Sequence, residues 1–462
     1  MRKILIVGGG YAGFYTAWKL EKKLRRGEAE VTLIDPRPYM TYQPFLPEVM
    51  AGSIEPRHSV VPLRSHLRRT EVVAGMVTGI NHANKVAAVR PATGEAFDLT
   101  YDILVVTAGA VTRTFPIAGI TEEAIGLKHI EEAIAVRNTI LTAFDQASNL
   151  PAGLERKRLL TFTFVGGGFA GVEGFGELLS FATALLRFYP KLRFNELDFR
   201  LIEAQGRILP EVSETTAAKV VRSLERRGAR IHLNTQVLSL TKRRVVLSSG
   251  VEFDSNLIVW TTGNAPNPTI AKHTDLPVDT KGFLLVRADL RIGTASASVP
   301  DAWGAGDNAA VTDLSVDTPG VRTVPNAQNA VRQGKLLAHN IVATMRSKPA
   351  KNYIHKSLGV VATLGIGRGV FESGGIVLTG FPAWIMHRGY HVLAVPTWER
   401  KIRVLAVWLT ALMFGRDIAS LGSTEHPRAA FVRGGDPDAS SYDRPLTVEP
   451  SSQRLRAVTA KL

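Results

Sequence analysis

Apolar positions along this chain fall in short runs that end at glycine turns, and some of those runs are followed by apolar residues at helical spacing. Residues 3–7, KILIV, read as a first strand; GGGYAG follows, then a helical pattern through Leu20 and Leu24 to Gly27. The next run, EVTLID, ends at Asp35, so the chain opens as strand, helix, strand. The same order returns with LLTFTFV at 159–165, GGGFAG at 166–171, a helical stretch to about Tyr189 and a strand FRLIEA ending near Glu203. Two further strand ends match one another, DILVVTAG at 102–109 and NLIVWTTG at 256–263. Turns paired in this way predict that the chain leaves its first unit at one and returns at the other, which makes the second unit an insertion.

After position 345 the pattern changes to glycine-interrupted apolar blocks, GGIVLTGFPAWIM at 374–386 and VLAVWLTALMF at 404–414. No apolar run reaches the ~20 residues of a spanning helix, so a membrane would be met from one side only. Arg400, Lys401, Arg403 and Arg416 flank the second block and are expected at anionic head groups, with Trp398 and Trp408 at the interface; a buried core helix or a dimer contact is the other reading. His387 and His391 stand four apart, where they could share a helix face, and with no HExxH pattern or third ligand they are read as interfacial or packing residues, with no metal site expected.

The glycine turns carry the first chemistry. Gly8, Gly10 and Gly13 fit GxGxxG, where the first glycine allows a tight turn, the second lets a pyrophosphate approach, and the third brings helix against strand. The helix start then turns its positive end to the phosphates. Asp35 ends the second strand, where a carboxylate accepts from ribose hydroxyls. Gly166, Gly168 and Gly171 repeat the motif with Glu203 as the acid, further on because KLRFNELD precedes the strand. A carboxylate there repels the 2′-phosphate of NADPH and favours NADH; a solvated strand end is the plain alternative. Glu173 follows the third glycine by two, and the pattern alone favours complementing the dipole of its helix over a part in chemistry. In DAWGAGDNAA at 301–310, Asp307 follows a glycine turn, and VPNAQNAVRQGK at 324–335 starts a helix with Asn326 as N-cap. Such a helix end suits negative charge on a reduced flavin ring.

Composition narrows the function. The 462 residues suggest about three domains, with ample core. Cysteine is absent, which removes disulfides, thiol redox pairs, cysteine-held clusters and cysteine nucleophiles, so redox work needs a bound cofactor. Lys and Arg total 56 against 41 Asp and Glu, a net charge of +15 that admits anionic partners. No aromatic-interleaved basic stripe or zinc-finger spacing accompanies it, so nucleic acid is not expected as a partner. MRKILIVGGG passes straight into a glycine turn and reads as a strand, not a secretory signal.

GGGYAG, GGGFAGVE, the TAG and TTG turns, WGAGDNA and AQNAVRQG together resemble the type II NADH dehydrogenases over about residues 1–420, closest to actinobacterial members at QPFLPEVMAGSIEPRH and MFGRDIASLG. The resemblance implies an α/β fold of two Rossmann-like dinucleotide-binding domains, glutathione-reductase-like, plus a C-terminal membrane-associating region. Its domains would be 1–115 with 265–345 for FAD, 116–264 for NADH, 346–422 at the membrane, and a disordered tail at 423–462. Carried over, Gly8, Gly10, Gly13, Asp35, Val77, Ala108, Gly109, Asp307 and Ala327 would hold FAD, and Gly166, Gly168, Gly171, Glu203 and Gly263 would hold NADH. Glu173 and Gln328 would be catalytic, with Gln328, Ala330 and Gln333 at the quinone. This chain departs from the family's AQxAxQ: the sixth position is Arg332 and Gln333 comes one later. The expected activity is two-electron transfer from NADH through FAD to menaquinone or ubiquinone without ion pumping, by a homodimer on the cytoplasmic face of the cell membrane. The alternatives are a soluble NADH-dependent reductase of a protein acceptor and a flavin-based redox sensor or interaction protein.

Overall fold

The strand Arg2–Val7 has four consecutive buried residues, Ile4 to Val7, the signature of a parallel strand covered on both faces. In the computed structural model, which describes residues 1–294, 296–318, 320–356, 359–420 and 428, this strand lies between Ala29–Asp35 and Ile103–Val106, parallel to both. Ser298–Gly304 extends the same sheet beside Ile103–Val106, so the sheet draws strands from before and after the second sheet in the chain. A second parallel sheet is built around Thr161–Val165, with Asp198–Ile202 on one side and Leu257–Trp260 on the other. Between the two sheets, outgoing Ala110–Thr112 pairs antiparallel with returning Asn264–Pro266. The chain leaves and re-enters its first sheet side by side.

The Tyr11–Lys23 helix packs on Ala327–Met345 at a distance only glycine permits: a Cβ on Gly334 would stand 2.4 Å from the Ala12 carbonyl oxygen. Thr16 Oγ1 donates to both Ala12 O and Gly334 O across that contact. This packing brings the start of the Ala327 helix beside the first glycine turn.

Among the described residues one helix, Phe169–Phe188, is long and apolar enough to cross a membrane, which corrects the expectation that no segment reaches that length. Two thirds of its apolar window is buried within the protein, and Glu173 and Glu177 on it are tied internally. It serves as the core helix of the second nucleotide unit, running as α-helix to Leu185 and as a 3-10 turn over Leu186–Phe188.

The C-terminal region opens with a three-stranded antiparallel sheet, Val360–Thr363, Gly369–Ser373 and Ile376–Thr379. Two helices follow, Phe381–Ala394 and Trp398–Phe414. The last helix is two-sided: Arg400, Val404 and Trp408 recur every four residues on its buried face. Trp398, Met413 and Phe414 on the other face are 79%, 75% and 78% exposed, and Ile402, Leu405, Leu409 and Leu412 join them. The assignment of interface anchors is corrected here. Trp408 is buried and donates to Glu48 Oε2 at 2.7 Å, Arg400 is buried and donates to Arg57 O at 2.8 Å, and Arg416 is tucked against Glu177. These three face inward because buried carboxylates and carbonyls need their donors; Lys401, Arg403 and Trp398 remain on the outward or lateral side. The expected tail at 423–462 lies outside the described residues except for Arg428.

Candidate functional site

The two glycine turns are built alike, atom for atom. Gly8 and Gly166 have φ of +97° and +112°, left-handed values that favour glycine. A Cβ on Gly13 would lie 1.8 Å from Gly8 O, and one on Gly171 would lie 2.0 Å from Gly166 O. At Gly10 and Gly168, by contrast, a Cβ would meet nothing within 4 Å, leaving each helix start open where a pyrophosphate would approach.

The acids follow the same plan. Asp35 accepts from Gly9 N and Arg37 N, both at 2.7 Å; Glu203 accepts from Gly167 N at 2.5 Å and Gln205 N at 2.7 Å. Each oxygen keeps a lone pair for a ribose hydroxyl. Burial pushes the Asp35 carboxyl up, partly offset by those N–H donors. Sequence reasoning missed a third shared element. Thr107 Oγ1 donates to Val7 O and Gly8 O, and Thr261 Oγ1 to Val165 O and Gly166 O, each clamping its turn from the neighbouring strand. The matched TAG and TTG endings were the available signal.

Around the first cradle, Gly109 has φ +66° and donates its N–H to Asn308 Oδ1 at 3.1 Å, while Asn267 Nδ2 donates to Ala108 O. Asn308 Nδ2 also reaches Val106 O, so one unforeseen asparagine ties the TAG turn to the segment bearing Asp307. Asp307 accepts no hydrogen bond from a described side chain or N–H, and burial pushes its carboxyl up, moderated by Lys128. Burial likewise lowers the Lys128 ammonium, whose Nζ donates to Asn264 Oδ1 at 2.7 Å. No motif pointed to Lys128. Val77 is buried on the Thr70–Asn81 strand opposite Val89. Gly263, φ +98°, accepts at its carbonyl from Arg113 N at the crossover between the units.

The Ala327–Met345 helix begins as its sequence foretold: Asn326 Oδ1 accepts from Asn329 N at 2.8 Å. Ala327 and Gln328 occupy its first turn, partly buried, and Ala330 lies inward near Gly306. Gln333 differs from its expected place at an acceptor: it is buried, its Oε1 accepts from Gly306 N at 2.8 Å and its Nε2 donates to Thr323 Oγ1 at 3.2 Å. Its amide braces the loop around Asp307, because leaving those two polar groups unpaired in the interior would be costly.

Glu173 lies beyond the first turn of its helix, which removes the dipole reading. It is buried, accepts from Thr363 N at 3.0 Å, and stands 3.3 Å from His387 Nε2. One turn on, Glu177 accepts from Thr363 Oγ1 and pairs with Arg416, both at 2.6 Å. Glu48 is equally buried and pairs with Arg388 at 2.9 Å. Burial pushes the Glu48 carboxyl up, against the pull of Arg388. Among the described residues no group of three or more His, Asp or Glu is arranged to hold a metal ion.

Two units built on parallel strands, each ending in an open glycine cradle backed by an acid, define a class: an α/β protein of the nucleotide-binding type with two such cradles. A family profile described as pyridine nucleotide-disulphide oxidoreductase matches residues 2–334, and the chain belongs to that family. Its redox chemistry runs without a disulfide of its own, since the chain contains no cysteine. Relatives align along nearly the full length. A probable NADH dehydrogenase of Dictyostelium discoideum is 29% identical, over 90% of this chain and 91% of its own. A type II NADH:quinone oxidoreductase of Mycobacterium tuberculosis is 28% identical, over 90% and 89%. Among solved structures, NDH2 from Plasmodium falciparum in complex with NADH superposes with a TM-score of 0.82 at 20% identity, over 90% of this chain and 99% of that one. The α/β fold of two dinucleotide-binding-type units expected from sequence is thereby established.

Proposed function

We propose that this protein is an NADH:quinone oxidoreductase of the type II class, using FAD and pumping no ions. The observation that carries the reading is the pair of open cradles in one cysteine-free chain, which leaves room for a pyridine nucleotide and a second dinucleotide and supplies no thiol to take the electrons. The relatives named NADH dehydrogenase and NADH:quinone oxidoreductase support the direction of transfer. In this reading the first unit, 1–115 with 265–345, holds FAD, and 116–264 holds NADH.

The residues fit FAD. Gly10 leaves room for the pyrophosphate, Asp35 would offer ribose acceptors, and Asp307, which accepts from no donor among the described residues, would hold the ribityl side. Bound there, FAD supplies the two-electron chemistry between nicotinamide and quinone. The chain's own part would be alignment and charge: the N-terminus of the Ala327 helix would offer its positive end to the ring, and Gln328 would position the acceptor. The exposed apolar face of the last helix, with Lys401 and Arg403 beside it, supports attachment to an anionic membrane surface, with the cytoplasmic face and a homodimer as the proposed setting.

The test is anaerobic stopped-flow on flavin-loaded protein attached to anionic vesicles carrying a quinone analogue. Flavin absorbance bleaches with NADH and recovers with quinone; bleaching without recovery would move the proposal to a protein acceptor or a sensor. In the same assay Gln328→Ala slows recovery about tenfold more than bleaching, and equal losses would place Gln328 outside the acceptor site. Glu203→Gln raises the preference for NADPH over NADH at least about tenfold, because like charges ~4 Å apart near a surface repel by ~4 kcal/mol. An unchanged ratio of the two kcat/KM values would remove Glu203 from coenzyme selection.

A further inference from the structure

His387 is fully buried, yet neither of its ring nitrogens makes an aligned hydrogen bond. An unsatisfied buried polar group costs about 1–3 kcal/mol, so its place among other polar groups calls for a reason. On one side Glu173 Oε1 stands 3.3 Å from His387 Nε2. On the other, the His391 ring lies 4.4 Å away, centroid to centroid, and His391 Nδ1 is 2.9 Å from the Tyr42 hydroxyl. Tyr42 leads on to Tyr11, the first residue of the first cradle's helix, with ring centroids 6.0 Å apart. The four side chains make one buried line. It begins on the helix of the second cradle and ends beside the helix of the first.

The stoichiometry of quinone reduction gives that line a task. NADH, a proton and a quinone yield NAD⁺ and a quinol; the hydride accounts for two electrons and one proton, and the second proton comes from water. Resting on the proposed NADH:quinone activity, we propose that Glu173, His387, His391 and Tyr42 carry this second proton to the quinone. In each turnover the Tyr42 O–H bond breaks as a quinol O–H forms, His391 returns a proton to Tyr42, His387 to His391, and Glu173 to His387. Water reprotonates Glu173 from the NADH side. A neutral imidazole suits this task because it accepts at one nitrogen while donating from the other.

The surroundings hold His391 neutral. Burial and the neighbouring His387 keep its imidazole well below its ordinary range, and burial raises the Tyr42 phenol. Other titratable groups face the line, Tyr15 among them. Glu48 is paired with Arg388 and Glu177 with Arg416, while Tyr390 sets its ring edge-on to His391, 5.0 Å away, and Tyr11 accepts from Gln43 N. The two carboxylates with arginine partners are thus committed, and Glu173 is the carboxylate next to the histidines.

Two readouts test the line. In stopped-flow, Tyr42→Phe and His387→Gln slow quinone-driven recovery about a hundredfold, within the range for a lost proton donor, and change its solvent isotope effect and pH profile. They slow NADH-driven bleaching far less. In 15N-histidine NMR of the protein without NADH or quinone, Tyr42→Phe shifts the His391 ring signals and Glu173→Gln shifts those of His387. Tyr42→Phe removes one oxygen and keeps the ring, so it reports even where His387→Gln unfolds the region. Wild-type recovery rate and isotope effect in Tyr42→Phe would overturn the relay alone. A wild-type protein that bleaches with NADH and never recovers with quinone would overturn the functional reading and the relay with it.

Discussion

Gly13→Ala is expected to abolish flavin retention and to lower the thermal midpoint, whereas Gly10→Ala is expected to leave the nucleotide-free protein as stable as wild type and to weaken flavin binding alone. The added methyl carbon is the same in both; the surroundings differ. At Gly13 it would sit 1.8 Å from Gly8 O and 2.7 Å from Thr107 Oγ1, so the helix must move away from the strand. Overpacking of this kind costs about 1–3 kcal/mol where side chains yield, and here the obstacle is backbone, which yields less. At Gly10 no atom beyond the adjoining residues lies within 4 Å of the added carbon, so a ligand's pyrophosphate is what would collide. Thermal unfolding of the stripped proteins, followed by flavin titration, separates the two effects. Equal midpoints for Gly13→Ala and Gly10→Ala would remove the crowded turn from the account. The second cradle gives the matching pair, Gly171→Ala and Gly168→Ala, read out as NADH KM with flavin still bound.

The second large effect is expected at Arg416, just past the last helix. Its guanidinium donates to Glu177 Oε2 at 2.6 Å and to Ser53 Oγ at 3.0 Å, with both charged side chains almost wholly buried. Arg416→Ala leaves the Glu177 carboxylate without its cation in the interior, a loss of about 3–5 kcal/mol for breaking a buried pair from one side. Arg416→Leu combined with Glu177→Leu is expected to recover most of that loss, since removing both charges also removes the desolvation problem. Urea unfolding of the two variants decides the matter, and a double variant no better than the single one would show that packing, not charge, fixes this corner. Because Glu177 is one turn beyond Glu173, Arg416→Ala also loosens the wall against which Glu173 is held by Thr363 N.

Much of the fold was legible because its signals are local. KILIV, GGGYAG and EVTLID lie within 35 residues, and each step, buried strand, glycine turn, helix start and terminal acid, is dictated by the residues that occupy it. The second cradle was legible for the same reason, although KLRFNELD lengthens the approach to its acid. The matched TAG and TTG endings foretold a departure and a return, and the chain does pair Ala110–Thr112 with Asn264–Pro266. The C-terminal helices were legible as apolar and basic, but not in which way their charges point. Arg400 and Arg416 looked like surface cations and proved to be interior ones.

Sequence by itself determined the two cradles, the helix start at Asn326 and the exclusion of thiol chemistry, since each depends on residues a few positions apart or on a residue type that is missing. Only the tertiary structure decided the partners of Glu48, Glu173 and Glu177, because Arg388, His387, Thr363, Trp408 and Arg416 reach them across 186 to 360 positions of chain. A carboxylate buried without a donor would be too costly to keep ionised, so each recruits whichever cation or N–H the packing of three separate regions brings within reach. That selection is made by the folded core, and no spacing along the chain encodes it.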